Sequence, residues 1–133
     1  MQQNIQINLT NIIQQDDTSE TFHFNETGTL ATIREISYIR FTETTSVETP
    51  VTVKINTDQT IVITRNGQSK LQLLLDLKND SITHYQTPIG VIVMTVKTNQ
   101  LKIDLSEGII LAKYQLWQAN TIVGQYTFDL NFK

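Results

Sequence analysis

Alternation of apolar and polar residues is the feature that most constrains what this chain can fold into. In one segment after another every second residue is apolar, and no window of a dozen residues carries a helical stripe. Successive side chains of a strand point to opposite faces, so each segment has one dry face and one wet face. The inward-facing sets that this pattern predicts are Ile5/Ile7/Leu9, Phe22/Phe24, Val51/Val53/Ile55, Leu71/Leu73/Leu75, Leu101/Ile103/Leu105 and Tyr126/Phe128/Leu130.

Residue usage and turn signals agree with consecutive β-hairpins. The chain has 17 Ile, 8 Val and 20 Thr but only 3 Ala, and β-branched side chains suit a pleated sheet. Asn66-Gly67 predicts a type I′ hairpin turn, and the polar segment 42–50 predicts a mobile loop. Residues 32–38 are compatible with a short helix or an irregular turn. The other turn-like breaks fall at 16–19, 56–59, 79–81, 99–100, 106–108 and 119–120.

These spacings predict an all-β fold, a single antiparallel up-and-down barrel of about eight to ten strands that occupies residues 1–133 as one domain. Short connections leave no room for the helical crossovers of a parallel sheet. A β-sandwich is the other architecture that such strands can form. We prefer the barrel, because closure removes the exposed edges that a long flat meander would leave.

Composition narrows the function classes. There is no Cys, hence no disulfide, thiolate nucleophile or Cys-based zinc site, and a reducing cytoplasm fits. The first basic residue is Arg34 and no run nears the ~20 apolar residues of a membrane helix, so we expect a cytoplasmic protein without a signal sequence. The net charge is −3 and the ten basic residues are scattered, so we expect neither a nucleic-acid nor a membrane partner.

Three stretches resemble a known family. They are residues 53–67, which end in Arg65-Asn66-Gly67, the turn 84–90 with Tyr85-Gln86-Thr87-Pro88, and the closing strands from Leu101 onward. The chain resembles the YwiB-like family of uncharacterised bacterial proteins with a calycin-type (lipocalin-like) β-barrel. The resemblance implies a barrel of cytoplasmic bacterial origin and carries no activity or site residues. The first strand lacks the Gly-x-Trp of true lipocalins, which argues against a secreted-lipocalin role.

Residues with catalytic or metal-binding potential are few. The two histidines, His23 and His84, are isolated, and the alternation predicts that His23 faces solvent. The acid pairs Asp16-Asp17 and Glu43 with Glu48 fall in predicted loops, where solvated carboxylates are the default. We therefore expect no catalytic site, no metal and no cofactor.

Four residues are candidates for a ligand site at a barrel mouth: Arg40, Arg65, His84 and Tyr85. Arg65 precedes the Asn-Gly turn and so lies near a rim. Arg40 would need an anionic partner such as Glu43 if it pointed inward. The alternative, in which Ile39 and Phe41 point inward and Arg40 is solvated, buries more apolar area and is preferred.

Two functional interpretations come from different classes. The first is a packed, non-enzymatic barrel that acts through its surface as an interaction or scaffolding protein, with Ile92, Met94 and Trp117 on a spare apolar face and a homo-oligomer as a possible assembly. The alternative is a calycin-like binding module for a small apolar or amphipathic ligand. Bulky inward sets favour the first, with at most a narrow pocket near one mouth.

Overall fold

Ten antiparallel strands form one closed barrel. The computed structural model describes residues 2–44 and 47–133. The strands are β1 (Gln2–Gln15), β2 (Thr18–Ile33), β3 (Ile36–Glu43), β4 (Thr49–Ile55), β5 (Ile61–Asn66), β6 (Lys70–Leu75), β7 (Ser81–Thr87), β8 (Gly90–Asp104), β9 (Ile109–Gln118) and β10 (Thr121–Phe132). Each pairs with its neighbours in sequence, and β1 pairs with β10 to close the ring. The predicted all-β up-and-down barrel is confirmed.

The core follows the predicted alternation. All six predicted inward sets belong to the core or pack against it. Ile7, Leu9 and Leu130 are fully buried, and Leu9 stands opposite Leu130 in the pairing of β1 with β10. No helix long and apolar enough to cross a membrane occurs in the described residues.

Strand β8 corrects one predicted turn. Residues 99–100 do not end a strand, because β8 continues to Asp104 with a bulge between Thr98 and Gln100. A bulge adds one residue without breaking the strand. Thr98 pairs with Tyr114, and Leu101 pairs with Ala112. Because Tyr114 and Ala112 are both buried, the residues of β8 on either side of the bulge face the interior.

Two further turns differ from the sequence-based expectation. Asn66 and Gly67 have no positive φ, so the predicted type I′ turn there is wrong, although β5 and β6 do form a hairpin. Arg34 and Glu35, with φ of 51° and 72°, instead make the two-residue turn that joins β2 to β3. Such paired positive φ values are typical of type I′ geometry. Residues 32–38 are thus a tight hairpin and not a helix.

The predicted loop 42–50 is shorter than expected. β3 extends to Glu43 and β4 begins at Thr49, and Thr45 and Ser46 lie outside the described residues.

The connections define two ends of the barrel. We call the end with connections 34–35, 56–60, 76–80 and 105–108 the closed end. The other end, where β3 ends and β4 begins and which carries connections 16–17, 67–69, 88–89 and 119–120, is the open end. At the closed end Phe132 N donates to Gly108 O at 2.9 Å. Gly108 has φ of 70°, and a Cβ there would collide with the Phe132 carbonyl oxygen, so the turn requires glycine.

The joint between β6 and β7 is the loosest in the ring. Only Lys70 and Gln86 pair across it in the described residues. Farther along, Thr83 Oγ1 donates to Gln72 O and Ser81 Oγ donates to Leu74 O, both at 2.7 Å. Side-chain hydroxyls thus satisfy carbonyls that a regular ladder would have bonded to backbone N–H groups.

Candidate ligand-binding cavity

The open end of the barrel encloses a cavity of about 530 Å³. Nine strands line it, and β4 contributes no lining residue. This volume lies within the range of small-molecule sites, ~300–1,000 Å³. The expectation of at most a narrow pocket is therefore corrected: the bulky inward sets fill the closed end only. The apolar walls are made by Ile12, Ile13, Phe22, Phe24, Leu71, Ile92, Met94, Leu116 and Val123.

An ion pair forms part of the cavity floor. Arg65 Nε donates to Glu43 Oε1 at 2.9 Å, and their side chains are only 21% and 10% exposed. Alternation positions both: Arg65 continues the inward face of Ile61 and Ile63, and Glu43 that of Ile39 and Phe41. Asn11 Nδ2 donates to the second oxygen of Glu43 at 3.5 Å.

Arg65 separates the hollow part of the interior from the packed part. Its guanidinium lies 6.0 Å from the centroid of the Phe128 ring, and Phe128 is fully buried. Burial opposes the charge of Arg65, but the Glu43 carboxylate and the Tyr114 hydroxyl outweigh it, and the pKa of Arg65 is raised. Arg65 is therefore a permanent cation inside the barrel.

Two of the tyrosines that line the cavity stack on each other. The rings of Tyr114 and Tyr126 stack with centroids 5.3 Å apart and planes 12° apart. Gln15 Nε2 donates to Tyr126 Oη at 3.3 Å. Burial raises the pKa of Tyr114, although Arg65 pulls it the other way. Tyr114 therefore keeps its proton at neutral pH and can donate it to a hydrogen bond.

The structure brings together two of the four ligand-site candidates. Arg65 and Tyr85 line the cavity. Arg40 lies on the outer face of β3, with its guanidinium 5.0 Å from the Tyr38 ring centroid, as preferred when Ile39 and Phe41 point inward. His84 also faces outward, opposite Val93 in the pairing of β7 with β8. Neither Arg40 nor His84 lines the cavity, so the expectation that they rim it is corrected.

The residues predicted for a spare apolar face divide between the two sides of the barrel. Ile92 and Met94 line the cavity, and Met94 is buried, so its assignment to an outer surface is wrong. The outward residues of this part of β8 are Val91 and Val93, because they have the opposite parity. Trp117 lies on the outer face of β9, with Lys97 Nζ 4.7 Å above its ring.

Sequence reasoning missed most of the polar part of the lining. Glu43 was expected to be a solvated loop acid, but it is the last residue of β3 and is buried. Its parity with Ile39 and Phe41 was the signal that could have placed it inside. Asn11, Tyr114 and Tyr126 were not singled out, although Tyr126 belongs to a predicted inward set.

His23 faces solvent as predicted and makes a hydrogen bond with Thr10 Oγ1 through Nδ1 at 3.1 Å. Across residues 2–44 and 47–133, no three His, Asp or Glu side chains are grouped closely enough to hold a metal ion. The expected lack of a metal or cofactor stays a prediction.

Comparison with known proteins identifies the family. The sequence profile described as a domain of unknown function (DUF1934) matches residues 7–130. The chain belongs to the DUF1934 family. The barrel is also similar to the crystal structure of the ywiB protein from Bacillus subtilis, with a TM-score of 0.79 and 17% sequence identity over 98% of this chain and 92% of that chain. The resemblance to the YwiB-like family is confirmed. A search of curated protein sequences gave no significant match.

Proposed function

We propose that this DUF1934 protein is a binding module that holds one small, predominantly apolar molecule at the open end of a calycin-like barrel. The observation that carries the proposal is the cavity of about 530 Å³, whose walls are mainly apolar and whose two charged side chains meet at the floor. Binding sites for small molecules commonly combine an apolar lining with a few polar groups that orient the ligand. Sequence alone favoured a packed barrel, and the cavity reverses that preference.

The same proposal assigns binding without catalysis. Arg65 and Glu43, the two charged residues among the described lining residues, are bonded to each other. A general base or nucleophile has to lie within hydrogen-bond reach of its substrate and be oriented toward it. The oxygens of Glu43 instead accept from Arg65 and Asn11. We place the protein in the bacterial cytoplasm, in keeping with the absence of Cys and with the Bacillus origin of its structural neighbour.

A neutral solvatochromic dye tests the proposal. We expect saturable binding of one dye molecule per chain and a higher melting temperature, because a ligand that binds only the folded state stabilises it. Leu71→Trp would project a larger ring into the cavity and should weaken binding. Leu74→Trp is the matched control, since Leu74 lies on the outer face of the same strand.

Dye emission must be followed directly, because Trp117 lies outside the cavity lining. Binding that Leu71→Trp leaves unchanged, or that Leu74→Trp weakens instead, would place the dye on the outer face. The absence of binding by any neutral apolar compound would refute the proposal.

A second candidate function is association through the outer face of β7 and β8. Ile82, Val91 and Val93 are 67%, 60% and 51% exposed, and they lie on neighbouring strands. An apolar face of this kind is common in self-associating proteins. Sedimentation should then show a dimer that Val93→Lys disrupts, whereas a pure monomer at high micromolar concentration would exclude self-association.

A further inference from the structure

The cavity carries both a cation and an anion, and their sum decides what kind of ligand suits it. Among the described lining residues only Arg65 and Glu43 are charged, and Arg65 Nε is 2.9 Å from Glu43 Oε1. The pair is neutral overall before any ligand enters. The walls around it are aliphatic and aromatic, so they screen charge far less than bulk water does.

The Arg65 side of the floor keeps hydrogen-bond donors that face the cavity. Both oxygens of Glu43 already accept, one from Arg65 and the other from Asn11. Arg65 uses Nε for Glu43, and its two terminal nitrogens carry further N–H groups. Above the floor, toward the mouth, Tyr126 Oη accepts from Gln15 at the end of β1 and keeps its own O–H to donate. The group that complements Arg65 is therefore a hydrogen-bond acceptor.

The charge of that acceptor follows from the position of Glu43. A ligand carboxylate that reached Arg65 would also lie within a few ångströms of the Glu43 carboxylate. Its attraction to Arg65 would then be opposed by its repulsion from Glu43. The cost of stripping water from the ligand's charge would then remain uncompensated. A ketone, ester or alcohol oxygen incurs a much smaller cost and can accept the same hydrogen bonds.

We propose that the cavity selects neutral amphipathic molecules, each with an apolar body and a carbonyl- or hydroxyl-type acceptor at its buried end, over the corresponding carboxylates. This inference rests on the proposed binding function and specifies its ligand class. Glu43 is the selectivity-determining residue, because it cancels the charge of Arg65 that would otherwise attract an anion.

Methyl decanoate and decanoate test the inference, since they share one chain and differ in charge. Each is titrated as a competitor of the neutral dye at about pH 8, far above the ordinary pKa of ~4.3 for a carboxylic acid. We expect the ester to bind about tenfold or more tightly than the acid. Tighter binding of decanoate to the unmodified protein would overturn the inference and leave the binding function standing.

Glu43→Gln supplies the reciprocal test. It keeps the shape of the side chain but leaves Arg65 uncompensated, so decanoate should gain about tenfold relative to the ester. Glu107→Gln is the control, because it removes the same charge from an exposed position at the closed end. An unchanged ester-to-acid ratio in a folded Glu43→Gln variant would overturn the inference.

The wild-type comparison decides the question even if Glu43→Gln does not fold. Failure of both compounds and of the dye to bind would refute the binding function, and the ligand class with it.

Discussion

The two ends of the barrel are built from the same strands but have different interiors. At the closed end aliphatic side chains pack the interior, and Leu73, Leu75 and Ile110 are fully buried. At the open end the same ring of strands contributes an ion pair and three tyrosines to the lining of a cavity. The closed end shows that this chain can fill a barrel with aliphatic side chains. Neither the cavity nor the ion pair is therefore a general requirement of the fold.

Strand β6 contains this contrast within three residues. Leu73 is fully buried at the closed end, whereas Leu71 is half-buried and lines the cavity. Leu73→Ala should destabilise the protein by about 2–5 kcal/mol, because it removes packed atoms and leaves a void. Leu71→Ala should cost less than half as much, since its side chain already borders empty space. Urea denaturation measures both, and equal costs would contradict the contrast between the ends.

The ion pair should contribute less than the packed core. Combining Glu43→Gln with Arg65→Met in a double-mutant cycle should give a coupling energy of about 0.5–3 kcal/mol, discounted for solvent in the cavity. Arg40→Met is the matched control: Arg40 is exposed on the outer face, and its loss should change stability by no more than ~0.5 kcal/mol. A coupling energy of zero would show that Arg65 and Glu43 are not paired in solution.

Acid should lower the stability of the protein through two closed-end turns. We expect this effect to be smaller than those of the core substitutions and of the ion pair. Asp58 accepts hydrogen bonds from Thr60 Oγ1 and Thr60 N, and Asp104 from Ser106 Oγ and Glu107 N. These bonds lower the pKa of both exposed carboxyls. A lowered folded-state pKa gives stability that is present above the unfolded pKa of ~3.9 and is lost as the pH falls through the folded value.

The slope of stability against pH between about 5 and 3 checks this expectation. Asp58→Asn with Asp104→Asn should flatten the slope, because neither amide titrates. A slope as steep in the double variant as in the wild type would assign the acid sensitivity to other carboxyls.

The strands were predictable from sequence because alternation is a local property. Ile5, Ile7 and Leu9 identify a buried face without reference to any other strand. The bulge at Thr98–Gln100 was not predictable, because polar residues in mid-strand look like a turn. The cavity also lay beyond local reasoning. Arg65 on β5 contacts Glu43 on β3 across the intervening strand β4. Whether inward side chains fill the barrel interior depends on how the ten strands close, which no single segment shows.

Methyl NMR of the protein titrated with methyl decanoate tests the central claim, a hollow open end beside a packed closed end, most directly. We expect saturable shifts at methyl groups that line the cavity, such as those of Leu71, Met94 and Leu116. The methyl signals of Leu75 and Ile110 at the closed end should not shift, and neither should those of Ile82 on the outer face. Shifts confined to the outer face, or none at saturating ester, would contradict the account.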